Sequence, residues 1–307
     1  ELKIQNEKTN ISKAINSLIK EYELNINELL ICAEHTGHFG NKLIQSILDL
    51  EVNLWMESAY DILHSQGLKR GKNDKIDALR IAEYAKRFYD KANLYTPESK
   101  SVEILKRLDS ERNQLVKDIA KYKKQLTQEE GFFDKKYFQE KTKRHNRLIK
   151  YTQKILKEVE EKVTRIIESD SAIKINMINI TSIEGVGKNT ALATIIATDN
   201  FTKFDNPRKF TCHAGCAPFR YESGSSINSK NKVSNRANKN LKRLFHMAAL
   251  STLRTKGELR QYFDRKVDEG KNKMSVINAI RGKLIHRIFA VVKENRPYQK
   301  IHQNSLV

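Results

Sequence analysis

Apolar residues in the first third of the chain alternate between a helical and a strand pattern. Between residues 11 and 22 they recur every three or four positions, which predicts a helix with one buried face. Short apolar runs at 29–33 and 52–56 are typical of buried strands, and a helix is predicted between them at 41–50. This order predicts an α/β layer with parallel strand pairing. A further helix is predicted at 74–88.

From Leu105 the pattern changes to a heptad-like stripe. Apolar residues continue to Leu126 in alternating steps of three and four, with one polar interruption at Arg112. After a charged turn near 129–136, a looser stripe follows from 148 to 166. Two long antiparallel helices fit this pattern. They form either an αα-hairpin within one chain or a dimerising coiled coil, and the sequence favours neither.

The last third is predicted to be helical around one irregular stretch. Residues 217–235 are polar and rich in serine, asparagine and glycine, which predicts a loop. Helices are predicted at 172–182, 188–198, 207–214, 238–255, 258–268 and 273–293.

The composition fits a soluble, helix-rich protein of the cytoplasm. With 12 glycines and 4 prolines in 307 residues, a β-sandwich with frequent tight turns is disfavoured. No window reaches eighteen apolar residues, so no membrane span is expected. The first ten residues resemble neither a signal peptide nor a transit peptide. Cys212, His213 and Cys216 suggest zinc, but no second ligand pair stands nearby.

Positive charge increases steeply along the chain. Residues 1–95 carry a net charge of −1, residues 96–175 carry +6, and residues 176–307 carry +15, within a total of +20. Such a gradient points to a polyanion partner for the last third. Nucleic acid is favoured over an acidic membrane surface because no basic amphipathic helix with an aromatic face is present.

Three carboxylates form the first candidate site. Glu34 follows an apolar strand, and α/β folds place their sites at the carboxyl ends of strands. Asp74 and Asp77 lie three residues apart at a helix start and therefore share a helix face. Together the three could hold Mg²⁺. The alternative is that an aspartate at a helix start merely caps the helix.

Two segments of the last third suggest phosphate chemistry. The IEGVGKNTA segment at 183–191 places a Gly-x-Gly turn before a helix and offers backbone N–H groups to a phosphate, although a plain helix connection remains the alternative. Ser223 stands beside a glycine before a basic run, where a serine could attack a phosphodiester; by composition alone this is a flexible loop. The candidate nucleic-acid-binding residues are Gly185, Gly187, Lys188, Arg220, Lys230, Lys232, Arg236, Lys239 and Arg243.

These segments, taken in order, resemble the motifs of the DEDD transposases, insertion-sequence recombinases that include the Piv-type DNA invertases. AEHTG at 33–37 resembles E-x-T-G, and KNDKIDA at 72–78 resembles K-x-D-x-x-D-A. Residues 183–191 resemble I-x-G-[IV]-G-x-x-T-A. Three further blocks resemble A-G-x-x-P, S-G and S-K-R-G-N, with Asn235 and Ala237 replacing Lys and Gly in the last: AGCAP at 214–218, SG at 223–224 and SNRAN at 234–238.

The resemblance implies an α/β plus all-α fold in three parts. These are a RuvC-like, RNase H-type domain at 1–97, a helical coiled-coil insertion at 98–171 and a C-terminal helical DNA-binding domain with a helix-hairpin-helix at 172–307. By motif, Glu34, Asp74 and Asp77 would be three of the four acids that bind Mg²⁺, and Ser223 would be the nucleophile. The resemblance further implies strand exchange through a branched junction, a structured guide RNA and a homo-oligomer, either dimer or tetramer.

One departure leaves several functions open. The family's first acid lies in an Ile-Asp-x-Ser motif on its opening strand, and this sequence contains no such motif. A truncated RNase H-type domain, and with it an inactive chain, is therefore one expectation. The ordered motifs favour an RNA-guided recombinase. The alternatives are a junction-resolving nuclease, in which Ser223 is idle, and a non-catalytic nucleic-acid-binding remnant.

Overall fold

The two apolar runs of the first third pair as parallel strands in the structure, a computed structural model that describes residues 2–65, 73–223, 227–233 and 237–299. Strand β1 is Leu30–Glu34 and β2 is Asn53–Glu57, joined in register from Leu30 opposite Asn53 to Glu34 opposite Glu57. The predicted strand–helix–strand order and the parallel pairing are therefore confirmed. The α-helices described in this region are α1 (Lys8–Glu21), α2 (Asn41–Asp49), α3 (Ala59–His64) and α4 (Asp74–Phe88).

Residues 1–97 form the first of two compact units. Its core is small because one face each of α1 and α2 covers only two strands. The buried members are Ile11, Ile15, Ile47, Val52 and Leu54. This layer is compatible with a mixed α/β fold, and the RNase H-type assignment stays a prediction.

Residues 98–307 form the second unit, which begins with two long helices. Helix α5 is Lys100–Glu129 and α6 is Lys135–Ser169, close to the predicted bounds. They run antiparallel, since Arg112 pairs with Glu160 at 2.9 Å and Glu129 pairs with Lys141 across the turn. The coiled-coil interpretation, which concerns a second chain, stays a prediction.

The remaining helices pack around α12. Nine of the 21 residues of this helix are buried, and polar residues separate the apolar ones along its sequence. All six helices predicted for the last third are confirmed. They are α7 (Ser171–Thr181), α8 (Lys188–Thr198), α9 (Pro207–His213), α10 (Lys239–Thr252), α11 (Glu258–Asp268) and α12 (Lys273–Lys293).

The prediction of an irregular loop at 217–235 was wrong. Strands β3 (Pro218–Ser223) and β4 (Ile227–Val233) form an antiparallel pair, with a register shift between Phe219 and Tyr221. The sequence does not predict these strands because β4 has apolar residues only at its two ends. Backbone hydrogen bonds hold such a ladder together without the alternation of apolar and polar residues that identifies a half-buried strand.

None of the helices in the described ranges combines the length and the apolar character that crossing a membrane requires.

Candidate functional site

The carboxyl end of the small sheet brings two glutamates together. Glu34 ends β1 and Glu57 ends β2, directly opposite each other in the parallel register. Paired residues of neighbouring strands point to the same side of a sheet, and the strands lie about 4.8 Å apart. Glu57 was not among the predicted site residues. The interpretation ended the second strand one residue early, at Met56, although adjacent parallel strands end at the same edge.

Hydrogen bonds orient the Glu57 carboxylate. Its Oε1 accepts from the backbone N–H of Ser58 at 2.7 Å, and its Oε2 accepts from the hydroxyl of Tyr84 at 3.3 Å. Tyr84 lies on α4 and packs against the buried ring of Trp55, with ring centroids 5.3 Å apart. Helix α4 is thus attached to the strand end through Glu57.

The negative charge of Glu57 also raises the pKa of two neighbouring side chains, Tyr84 and Cys32. Burial, together with Glu57, raises the pKa of the Tyr84 hydroxyl, so Tyr84 remains a donor at neutral pH. The same two causes raise the pKa of the Cys32 thiol to about 11. Cys32 lies two residues before Glu34 on β1 and so shares its side of the sheet. It is therefore a protonated thiol at neutral pH and a poor nucleophile.

The acids of α4 are not its caps. Asn73 caps the helix by accepting from the Ile76 N–H at 2.8 Å, which leaves Asp74 and Asp77 in the first turn. The Asp77 carboxylate instead accepts from Arg80 at 3.0 Å, and the Arg80 side chain is buried. The capping alternative for Asp74 therefore does not hold.

Among the described residues, the three predicted acids are not gathered into one cluster. Helix α4 packs against β1, and Asp77 precedes Tyr84 by two helical turns on the same face, which is the face that meets the sheet. Among the described residues, no three or more His, Cys, Asp or Glu side chains come close enough to hold a metal ion. A metal site at Glu34, Asp74 and Asp77 stays a prediction, and so does zinc near Cys212.

A groove in the second unit joins several predicted nucleic-acid contacts. It encloses about 760 Å³ between the long helices, the glycine turn and α10. Gly185 adopts a left-handed φ of +86°, and Gly187 directly precedes α8. The polar and glycine residues along the groove include Arg112, Glu160, Gly185, Gly187, Lys188 and Arg243. We call it the hairpin groove.

The hairpin groove carries more positive than negative charge. Arg112 is paired with Glu160, whereas Lys188 and Arg243 have no ion pair with any carboxylate in the described part of the chain. The open N–H groups at the start of α8 face the same groove and favour an anion. In the sequence Arg112 is only the polar interruption of the heptad stripe, whereas in the structure it lines the hairpin groove.

The predicted nucleophile lies at the end of a strand. Ser223 is the last residue of β3, and its backbone pairs with Ile227 of β4. The foot of this β-hairpin is the pair Pro218–Val233, about 17 Å away along the strand at 3.3–3.4 Å per residue. Of the other predicted contacts, Arg220, Lys230 and Lys232 lie on the two strands, Lys239 begins α10, and Arg236 lies outside the described residues.

An α/β unit with acids at its strand ends and a strongly basic helical unit are features of proteins that act on nucleic acid. The sequence matches agree. Residues 1–129 match a transposase model of the IS110 DEDD type, and residues 177–264 match the model described as the Transposase IS116/IS110/IS902 family. Together they cover more than half of the chain, which belongs to the IS110-type transposase family. The predicted family is confirmed.

Curated relatives are similar over most of the chain. The pilin gene-inverting protein of Moraxella bovis is 25% identical over 296 residues, which covers 93% of this chain and 87% of that protein. Its counterpart in Moraxella lacunata is 24% identical over the same share. An uncharacterized protein of the insertion element IS110 from Streptomyces coelicolor is 27% identical over 120 residues, covering 39% of this chain and 29% of that protein.

Proposed function

We propose that this transposase-family chain cuts and rejoins DNA strands with carboxylates of its first unit and Ser223 of its second. The observation that carries the proposal is the alignment of Glu34 and Glu57 at one sheet edge, against which the acid-bearing helix α4 packs. Carboxylates concentrated at a strand end are the usual setting for phosphoryl chemistry in α/β folds. The inversion of DNA by the Moraxella relatives, as their names state, supports the same reaction class here.

The donor chemistry of the first unit fits a hard divalent cation. All the candidate ligands are carboxylates, which Mg²⁺ prefers, and DEDD transposases generally use divalent ions. Glu34, Asp74 and Asp77 would hold Mg²⁺, and Glu57 would add negative charge beside Glu34. Bound there, the ion would polarise the scissile phosphate and lower the pKa of an attacking hydroxyl. Tyr84 holds Glu57 in place, while Arg80 neutralises part of the charge on Asp77.

Ser223 would supply the nucleophile. Its hydroxyl oxygen forms a bond to phosphorus while the bond from phosphorus to one deoxyribose oxygen breaks, and the serine proton ends on that leaving oxygen. Attack by the hydroxyl of another strand reverses the step and restores the serine. No external energy source is needed, because one phosphodiester replaces another. Ser223 lies at the opposite end of β3 from the foot of the hairpin, a position that would suit entry into a DNA groove.

The partner of the second unit would be DNA together with a structured guide RNA. The net charge of +15 in residues 176–307 and the hairpin groove support binding to phosphate backbones. The guide RNA is part of this proposal on the strength of the motif resemblance, since charge alone does not distinguish DNA from RNA.

Three variants test the assignment of roles. Glu34→Gln, Asp77→Asn and Ser223→Ala are assayed for strand cleavage and joining on supercoiled element-end DNA with RNA and Mg²⁺. Each is expected to lose at least a hundredfold in rate, since a lost electrostatic or nucleophilic group costs about that much. Asp49→Asn, an exposed acid of the same unit paired with Lys8, is the matched control. Wild-type rates in Glu34→Gln and Asp77→Asn would refute the carboxylate role, and cleavage without Ser223 would indicate a nuclease.

A further inference from the structure

Helix α12 buries an arginine without an acidic partner. Arg281 is only 6% exposed. One terminal nitrogen donates to Asn278 Oδ1 at 3.4 Å, the other contacts His246 Nδ1, and Nε has no hydrogen-bond partner. No carboxylate within the described ranges forms an ion pair with it. A buried charge without a counter-charge is strongly unfavourable in a folded protein. Such an arrangement is expected where a ligand supplies the missing charge.

Among the side chains that the structure describes around Arg281 there is a second positive charge and no carboxylate. Lys242 and His246 lie one turn apart on the same face of α10, and Lys242 has no ion pair in the part of the chain that is described. Burial and the charge of Arg281 lower the pKa of His246, so its ring is neutral and Nδ1 accepts from Arg281. Burial raises the pKa of the nearby Cys216 thiol to about 11, so it is not a thiolate at neutral pH.

This cluster sits at the foot of the β-hairpin that carries Ser223. Cys216 lies two residues before the start of β3, and its carbonyl accepts from Asn278 of α12 at 2.7 Å. Gly215 adopts a φ of +66°, and an added methyl group there would lie 2.7 Å from the Ala237 Cβ. The two ends of the hairpin are thus packed tightly where they meet α10 and α12. A group bound by Arg281 would be held at a fixed distance from the strands above it.

We propose that Arg281 and Lys242 bind a backbone phosphate of a nucleic acid at the foot of the hairpin. Arginine carries five N–H donors in a planar fork that matches phosphate oxygens, and the described residues engage two of those of Arg281. Phosphate provides both the negative charge and the acceptors that the site lacks. The identity of the ligand as a nucleic acid rests on the proposed function, whereas the anion site itself does not.

The test compares Arg281→Met and Arg281→Lys with Arg287→Gln in the full chain. Arg287 lies on the same helix but is paired with Glu258 at 2.7 Å, so it is the matched control. Affinities for a short DNA duplex and for single-stranded RNA are measured over a series of salt concentrations. Arg281→Met should lose about tenfold or more in affinity, and the salt slope should fall by about one, as for one lost phosphate contact. Arg281→Lys should keep the slope but lose affinity.

Thermal unfolding separates binding from structure. Without nucleic acid, Arg281→Met should melt at or above the wild-type temperature, because an unpaired buried charge has been removed. Inorganic phosphate should raise the melting temperature of the wild type, relative to chloride at equal ionic strength, but not that of Arg281→Met.

Three results would overturn the proposal. The first is an affinity and a salt slope in Arg281→Met equal to those of the wild type. The second is an equal rise in the melting temperatures of the wild type and Arg281→Met with phosphate. The third is a large drop in the melting temperature of Arg281→Met, which would show that the arginine has a structural role. A loss of affinity confined to DNA or to RNA identifies the source of the phosphate. If nucleic-acid binding depends on Arg281 but the wild-type protein does not recombine DNA, the proposed function is refuted and the phosphate site is not.

Discussion

Replacement of Gly185 by alanine should unfold the glycine turn rather than merely weaken DNA binding. The residue has a φ of +86°, and a methyl group would lie 2.3 Å from Thr252 Cγ2 and 2.8 Å from the Ala248 carbonyl oxygen. Both neighbours are buried in α10, at 1% and 3% exposure, and have little room to move. The left-handed conformation costs about 1–2 kcal/mol for alanine, and overpacking adds about 1–3 kcal/mol. The free energy of unfolding should therefore fall by roughly 2–5 kcal/mol.

The matched substitution is Gly187→Ala, two residues further along the same turn. Gly187 has a φ of −89°, and nothing lies within 4 Å of an added methyl group. Stability should change by less than about 1 kcal/mol, while the methyl group covers the N–H groups that face the hairpin groove and lowers DNA affinity. Urea unfolding monitored by circular dichroism, with a DNA titration of each folded variant, checks both. The reasoning fails if Gly185→Ala unfolds at the wild-type urea concentration, or if both variants lose equal stability.

Three further predictions concern buried or paired groups. Burial raises the folded pKa of Cys216 from the usual 9.0 to about 11, so the stability that its neutral thiol contributes is complete below pH 9 and is lost as the pH rises to 11. Over this window the free energy of unfolding, measured with urea, should fall less in Cys216→Ala than in the wild type, by up to about 2.7 kcal/mol; an equal fall in both proteins would contradict the burial argument. Arg112→Leu should change stability by only about 1 kcal/mol, since its partner Glu160 is half exposed, but should weaken DNA binding in a filter assay; unchanged affinity would exclude Arg112 from the interface. Glu57→Gln should lower the pKa of Cys32, so thiol reagents should react faster near pH 9 in a background without the other cysteines; an unchanged rate would contradict the role of Glu57.

The sequence predicted the helices well because their apolar spacing directly reflects burial. The bounds of α4 agree to the residue, and the parallel pairing of β1 and β2 follows from the order of the elements. The strands β3 and β4 could not be predicted in this way, since their pairing depends on backbone hydrogen bonds between polar segments. Periodicity reports only which side chains are buried.

The candidate site was predicted in part, for a related reason. Glu34 and the acids of α4 belong to motifs that are recognisable in the sequence. Glu57 belongs to no such motif, and its place in the candidate site follows only from its pairing with Glu34 in the sheet. In the sequence Arg281 is one of several polar positions of α12, and its burial without an acid appears only once α10 and α12 are packed. Groups that depend on tertiary contacts leave no local pattern.

The division of the acids and the serine between two compact units bears on how an active site is assembled. Asp77 belongs to residues 1–97 and Ser223 to residues 98–307, with the two long helices between them in sequence. A nucleophile and the carboxylates that act on its phosphate must meet at one scissile bond. We therefore predict that the carboxylates of one chain act with Ser223 of another, in a homo-oligomer. A lone protomer would then be unable to cut DNA.

Two inactive variants test this shared site, because each destroys a different half. Ser223→Ala keeps the carboxylates, and Asp77→Asn keeps the serine. A mixed oligomer contains one shared site in which the Ser223→Ala chain supplies intact carboxylates and the Asp77→Asn chain supplies an intact serine. Strand cleavage should therefore return to a fraction of the wild-type rate. The mixture is compared with each variant alone at the same total concentration, and subunit exchange is verified with differently tagged chains. A mixture as inactive as either variant, despite demonstrated exchange, would show that each chain completes its own site.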